Sequence, residues 1–252
     1  MNIQYCSDLH LEFSQNKKWL NENPLLPKGE ILILAGDIVP LNSWEKHNDF
    51  FDYVADHFKH TYWMPGNHEY YHFDLATKHA VFQEKIRNNV SLLNNSVVEI
   101  ENKQLIFSTL WSKISPENEW LIEKRMNDFQ LIKYKGFRLS STNYNILHEA
   151  ASSFLQDAFK ENTTKQRIVV THHVPTFMHY PEQYRNSDIN QGFATELFET
   201  IEKSNANFWI YGHHHQNMPN FKIGNTTLTT NQLGYVSHQE HHLFNREKLI
   251  KC

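Results

Sequence analysis

A chain of 252 residues, 40% of them hydrophobic, is long enough to bury one large core or two small ones. Its net charge of −4, with basic residues scattered apart from Lys17-Lys18 and the stretch 133–138, excludes a nucleic-acid or anionic-membrane partner held by bulk charge. The two cysteines, Cys6 and Cys252, imply no disulfide framework and favour a reducing, cytoplasmic setting. There is no basic-then-apolar leader and no apolar run near the roughly 18–20 residues of a membrane helix.

In chain order, residues 3–6 form a short apolar run that ends in Ser7-Asp8-Leu9-His10 and reads as strand, then loop. Residues 17–29 carry Asn, Pro and Gly and read as loop. Residues 30–35 are almost continuously apolar, as a strand buried on both faces is, and end in Gly36-Asp37. Residues 48–58 space Phe50, Phe51, Val54, Ala55 and Phe58 as the inner side of a helix. Residues 61–64 predict another buried strand, stopped by Pro65-Gly66 and followed at once by Asn67-His68-Glu69. This strand–helix–strand order predicts βαβ units and a largely parallel sheet.

Residues 73–88 read as a helix with Ala76, Ala80, Val81 and Ile86 inward. Residues 91–100 and 104–111 predict two strands joined at Glu101-Asn102-Lys103. Residues 112–138 are polar and irregular, and contain Arg125, Asn127 and Asp128. A helix over 145–160 is predicted to bury Ile146, Leu147, Ala150, Ala151, Phe154, Leu155 and Phe159. The β-branched run 168–171 ends in His172-His173. A loop over 176–192 with Tyr180, Tyr184 and Arg185 leads to a helix over 193–203, and the strand 207–211 ends in Gly212-His213-His214-His215. The tail, 221–249, predicts short antiparallel strands with turns at Asn225 and Gly234. No repeat, low-complexity tract or linker interrupts this order, so one domain over 1–252 is expected.

Of seventeen histidines, His47, His57, His60 and His79 stand in polar surroundings and read as surface residues. Others follow apolar runs. Five predicted strands end in ligand-type residues: Asp8 and His10, Asp37, Asn67 and His68, His172, and His213 with His215. Any one cluster is as well explained by a turn or a structural histidine; five together are not. A parallel sheet gathers the C-terminal ends of its strands along one edge, where ligands bind. Oxygen and imidazole donors without thiolate suit divalent Mn, Fe or Zn. Two Asp, one Asn and four His exceed what one ion can take, and two ions can clamp the attacking and leaving oxygens of a phosphoryl displacement.

The set Asp8-x-His10, Gly36-Asp37, Gly66-Asn67-His68-Glu69, His172 and Gly212-His213-x-His215 resembles the calcineurin-like metallophosphoesterases, block by block and in order. The resemblance implies a four-layer αββα sandwich, an α/β fold of two mixed β-sheets packed face to face with helices outside. It implies a first metal held by Asp8, His10, Asp37 and His215, and a second held by Asp37, Asn67, His172 and His213, with Asp37 bridging. His172 stands directly after its strand and is chosen over His173, while His214 is expected to point away. His68 is implied near the phosphate as the group serving the leaving oxygen. Asp37, Asn67 and His68 are then the catalytic set, attack coming from a hydroxide bridging the metals. Ser7, Glu69 and Asp128 are candidates for hydrogen bonding to ligands, and Arg125, Tyr180 and Arg185 for substrate contact. The implied activity is hydrolysis of a small phosphoester, a phosphodiester favoured over a phosphomonoester, with a non-catalytic module on the same fold as the rival. A nuclease is disfavoured by the charge balance.

Overall fold

The computed structural model describes residues 1–78 and 81–250. His79 and Ala80, read above as a surface histidine and part of a helix, and Cys252 lie outside the described residues. The first sheet contains β1 (Ile3–Cys6), β2 (Ile31–Ala35), β3 (His60–Met64), β4 (Phe82–Arg87) and β5 (Val90–Asn94). The second begins with β6 (Ser96–Ile100) and β7 (Lys103–Ser108). A separate small hairpin is β8 (Lys133–Tyr134) with β9 (Phe137–Arg138). The second sheet then takes β10 (Gln166–Thr171), β11 (Phe208–Ile210), β12 (Phe221–Ile223) and β13 (Thr226–Thr229), and β14 (Leu249–Ile250) returns to the first. The strand orders are β14-β1-β2-β3-β5-β4 and β12-β13-β11-β10-β7-β6. In each sheet the four central strands run parallel and both edge strands are antiparallel. This is the expected α/β architecture of two mixed sheets flanked by helices.

The strands read as unbroken apolar runs because both of their faces are buried. Ile3, Tyr5, Ile31, Ile33, Ala35, Tyr62 and Met64 meet Leu105, Phe107, Ile168, Val170 and Ile210 between the sheets. Alternate residues turn outward. Leu32, Leu34 and Trp63 pack under α1 (Ser14–Glu22) and α2 (Asn48–His57). Val169 and Trp209 pack under α5 (Ser141–Lys160) and α6 (Phe198–Lys203). The short helices α3 (Glu119–Arg125) and α4 (Asp128–Leu131) lie in the stretch read as irregular.

The structure departs from several expectations, each for a physical reason. Part of the predicted loop 17–29 is α1, a polar helix held by tertiary contact. Its buried Asn16 donates to the carbonyls of Leu9 and Gly234, and Leu20 enters the core. The predicted helix 73–88 is a 3-10 turn at Leu75–Thr77 and the edge strand β4. Its alanines and charges suit a helix, but β4 instead turns back through Asn88-Asn89 onto β5, and its charges mark an exposed edge. The predicted strand 91–100 is two strands: at Asn95 φ is 45° and the chain crosses from the first sheet to the second. In α5, Leu147, Ala151 and Leu155 are buried as expected and Tyr144 and Ala158 join them, whereas Ile146 and Ala150 are exposed. The helix expected over 193–203 is shorter, at Phe198–Lys203, and β13 runs parallel to β11 rather than antiparallel. His47 is buried.

Candidate metal centre

Both sheets present the C-terminal ends of their parallel strands to the same rim. Asp8 and His10 follow β1, Asp37 follows β2, and Asn67 follows the Pro65-Gly66 turn after β3. His172 follows β10, and His213 and His215 follow β11 in the opposite sheet. All seven are buried. One donor atom from each of Asp8, His10, Asp37 and His215 lies within 4.8 Å of the others, and the same holds for Asp37, His172 and His213, so Asp37 belongs to both groups. Its Oδ2 is 3.2 Å from His172 Nε2 and 3.8 Å from His10 Nε2. His10 Nε2 and His215 Nε2 face each other at 2.9 Å.

These positions require unusual backbone. Asp8, His10, Asp37, His213 and His215 have φ of 56°, 48°, 55°, 79° and 56°, in the left-handed region that non-glycine residues seldom occupy. Such strain concentrates where function demands a side chain at a fixed place. Gly66 has a different reason: a Cβ there would lie 2.2 Å from Asp37 Oδ1 and 2.6 Å from His172 Nε2. Only a bare backbone fits behind these two donors.

The fit to cations rests on unpaired atoms. Asn67 Oδ1, His172 Nε2 and His213 Nε2 are buried and make no hydrogen bond. Buried polar atoms without a partner are uncommon and call for an explanation. Meanwhile the outward nitrogens of three of the histidines are taken. His172 Nδ1 donates to the Ala35 carbonyl (3.0 Å), His10 Nδ1 to Glu12 (3.3 Å) and His215 Nδ1 to Glu240 (2.8 Å). This is how metal-binding imidazoles are oriented, with the inward nitrogen left to the ion. Asn67 is fixed likewise: its amide donates to Asp128 Oδ1 (2.9 Å), which turns its oxygen inward. Ser7 donates to Asp8 Oδ2. Burial opposes the Asp37 charge, but the imidazoles of His172, His68 and His10 hold its carboxyl well below the usual range. Asp37 and Asp8 in turn raise His172 to about 9 against its burial. Cations binding here would displace those protons.

His173 is a different kind of histidine. Its Nε2 meets the Tyr144 hydroxyl at 2.8 Å and its Nδ1 donates to the Thr109 carbonyl at 3.1 Å. Replacing His172 with alanine is therefore expected to remove one ion per chain. His173→Gln should keep both ions while costing about 1–3 kcal/mol of stability through broken buried hydrogen bonds. Elemental analysis and a denaturant midpoint separate the two results. His214 is also buried, on the cavity wall, with Nδ1 accepting from the Gln216 N–H (3.1 Å) rather than facing the ligands.

Glu69 holds the scaffold rather than a ligand side chain. It accepts from the backbone N–H groups of Asp37 (2.8 Å), Ile38 (2.7 Å) and Gly66 (2.7 Å) and from the Trp63 indole (2.9 Å). Burial and the neighbouring Asp37 push its carboxyl up to about 7. Glu69→Ala would leave these donors buried and unpaired, at about 1–3 kcal/mol each. We expect a loss on the order of 4 kcal/mol, read as a lower denaturant midpoint at unchanged slope.

His68 lies on the same rim. Its N–H donates to Asp37 Oδ1 (2.9 Å), its ring stacks on Tyr71 with centroids 4.0 Å apart, and its Nδ1 donates to Glu12 Oε1 (2.9 Å). The Tyr235 hydroxyl lies 3.3 Å from Nε2. A cavity of about 360 Å³ opens over Asp37, Asn67, His68 and His213, walled by Met126, Tyr180, Tyr184, Phe193 and Tyr235. Tyr180 is therefore on the wall as expected. Arg125 is at the mouth, more than half exposed and 3.5 Å from Asp188. Arg185 is exposed and pairs with Glu182 instead of lining the cavity. Sequence reasoning missed Glu12, Tyr235 and Glu240. Glu12 had a readable signal, standing two residues beyond His10 as Asp-x-His-x-Glu. The other two had none, because only the fold brings the tail to this rim.

Comparison with known proteins agrees with this geometry. The chain is 31% identical, over 94% of its length and 92% of the other's, to an uncharacterized protein, L509, of Acanthamoeba polyphaga mimivirus. Its fold matches that of a phosphopantetheinyl hydrolase from Mycobacterium tuberculosis with a TM-score of 0.70, at 16% identity, over 99% of this chain and 95% of the other. The sequence profile described as calcineurin-like phosphoesterase matches residues 1–217, which span all five ligand-bearing strand ends. The chain belongs to the calcineurin-like phosphoesterase family.

Proposed function

We propose that this protein hydrolyses a small phosphoric ester, preferentially a diester, with two divalent cations. Asp8, His10, Asp37 and His215 would hold one; Asp37, Asn67, His172 and His213 would hold the other. The observation that carries this reading is the pair of buried, unpartnered atoms Asn67 Oδ1 and His213 Nε2, with His172 Nε2 facing only Asp37, the carboxylate shared by two ligand groups. The donors are oxygen and imidazole nitrogen, which suits Mn, Fe or Zn. Bound ions of this kind supply a nucleophilic water of lowered pKa and neutralise phosphoryl oxygens.

The chain's own residues do the rest. Asp128 keeps the Asn67 oxygen turned inward. His68, protonated, gives the proton on Nε2 to the departing oxygen, while Glu12 accepts from Nδ1 and stabilises the imidazolium. Burial opposes that charge, but Asp37 and Glu12 outweigh it and raise His68 above the ordinary histidine range. A diester is favoured because the cavity extends past the ligand residues to Tyr71, Tyr180, Tyr184, Phe193 and Tyr235, rings on which a second ester group could lie. Among the described residues Arg125 is the one lysine or arginine lining it, so further anionic groups on the substrate would find little compensation. The fold is read as a single domain over 1–252. The buried, unpaired Cys6 supports a reducing, cytoplasmic setting. Among the described residues no helix is long and apolar enough to cross a membrane.

The test is a manganese titration coupled to a panel of chromogenic mono- and diesters, cyclic nucleotides, phospholipid head-group esters and a phosphopantetheinyl ester. Turnover rising to saturation with two ions per chain, fastest on a diester, is expected. Two tightly bound ions without turnover of any ester would favour a non-catalytic metal-binding module.

A further inference from the structure

Tyr235 stands in the tail, beyond residues 1–217 that carry the family match. Its place is set by a short strap, residues 231–236, laced to the loop after β1. The Ser7 N–H donates to the Asn231 carbonyl (3.0 Å), Leu233 N–H to Ser7 (3.1 Å) and Gly234 N–H to Asp8 (3.1 Å). Buried Asn16 closes the lacing: it donates to the Gly234 carbonyl (2.8 Å) and accepts from the Val236 N–H (3.1 Å). Gly234 has φ of 69°, and a Cβ there would meet Glu240 at 2.7 Å. Glu240 in turn accepts both from the Tyr235 N–H (2.6 Å) and from the outward nitrogen of His215 (2.8 Å). The strap is thus tied to one ligand loop by its backbone and to another through Glu240.

The tyrosine this strap carries is held as firmly. Its ring lies 4.8 Å from that of His10, 4.5 Å from His215 and 5.3 Å from Phe13. Its hydroxyl reaches the cavity and comes to 3.3 Å from His68 Nε2. His68 is already fixed at Nδ1 by Glu12 and on its face by Tyr71. The His10 ring packs edge-on against it as well, with centroids 4.4 Å apart, which leaves the far nitrogen, Nε2, to be met. Tyr235 is the group that meets that nitrogen.

Resting on the phosphoesterase reading above, we propose that Tyr235 is a positioning residue for phosphoester cleavage, its hydroxyl aiming Nε2 of His68 at the leaving oxygen. The proton that moves is the one on His68 Nε2. It passes to the leaving oxygen as the P–O bond breaks, and Tyr235 neither gains nor loses a proton overall. A misplaced acid harms most the ester whose leaving group most needs protonation. A misplacement of about 1 Å can cost on the order of a hundredfold.

The experiment compares Tyr235→Phe and Tyr235→Leu with the unsubstituted protein, all loaded with manganese. The substrates are methyl 4-nitrophenyl phosphate, with a weakly basic leaving group, and methyl phenyl phosphate, with a strongly basic one. The expected result is two ions per chain in every protein and a kcat ratio between the esters shifted at least about tenfold against the phenyl ester. KM should change little. Adding Tyr235→Phe to His68→Ala should shift the ratio no further. Equal losses on both esters, no loss on either, or loss of an ion would overturn the positioning role. If the unsubstituted protein cleaves neither ester while holding two ions, the diester preference proposed above falls, and this inference with it.

Discussion

Asp37→Asn is expected to reduce bound manganese from two ions per chain to one or none and to lower kcat by at least about 10³-fold. Asparagine keeps the shape and one acceptor oxygen but removes the charge that both ligand groups share. The metal pair contributes several kcal/mol of transition-state stabilisation, and each 1.36 kcal/mol is a factor of ten in rate. Elemental analysis and turnover on one preparation check both parts. Retention of two ions would remove Asp37 from its bridging place. The same centre should show in stability. At about 1,000 times its dissociation constant, each bound ion adds about 4.1 kcal/mol. A chain of this size gains roughly 2–4 °C in Tm per kcal/mol. Chelation with EDTA should therefore lower Tm by roughly 8–16 °C for each site emptied, and manganese should restore it.

The second large effect is opposite in kind. His68→Ala should keep both ions and lose about 10²–10⁴-fold in kcat, the range for a general acid. His68 reaches Asp37 through its backbone N–H and Glu12 through its side chain, so removing the imidazole leaves all seven ligand side chains in place. Loss of metal on elemental analysis would refute the assigned role. Glu12→Gln should weaken turnover less than His68→Ala, because it removes the charge beside the imidazolium and not the proton donor.

The strand framework was legible in the sequence because its central strands are buried on both faces, and such strands announce themselves as unbroken apolar runs. Residues 30–35, 61–64 and 168–171 were read within a residue or two of β2, β3 and β10. That the candidate ligand residues would come together was legible for a related reason. Polar side chains at the abrupt end of a buried strand have few structural uses, and here five strands repeat the pattern. The misreadings share one cause, tertiary contact outweighing local preference. Helix α1 is polar, but Asn16 and Leu20 anchor it; β4 has a helical composition, but β5 offers it a hydrogen-bonding edge. The wall opposite the ligands was illegible for the same reason. Tyr235 and Glu240 lie in a stretch without periodicity, and their placement depends on backbone hydrogen bonds to Ser7 and Asp8, more than 200 residues away by chain. His172 and His173 are adjacent and chemically alike; only the partners of their nitrogens tell them apart.

The antiparallel pairing of β14 with β1 bears on how the molecule is made. Strand β1 receives one of its two neighbours, with Ile3 opposite Ile250, only after the chain between them has been synthesised. His10 likewise waits through a separation of 205 residues for His215. Contacts this distant slow folding, since the intervening chain must be closed before they reward it. Any cation held by both histidines would therefore be taken up only after the chain between them has been made.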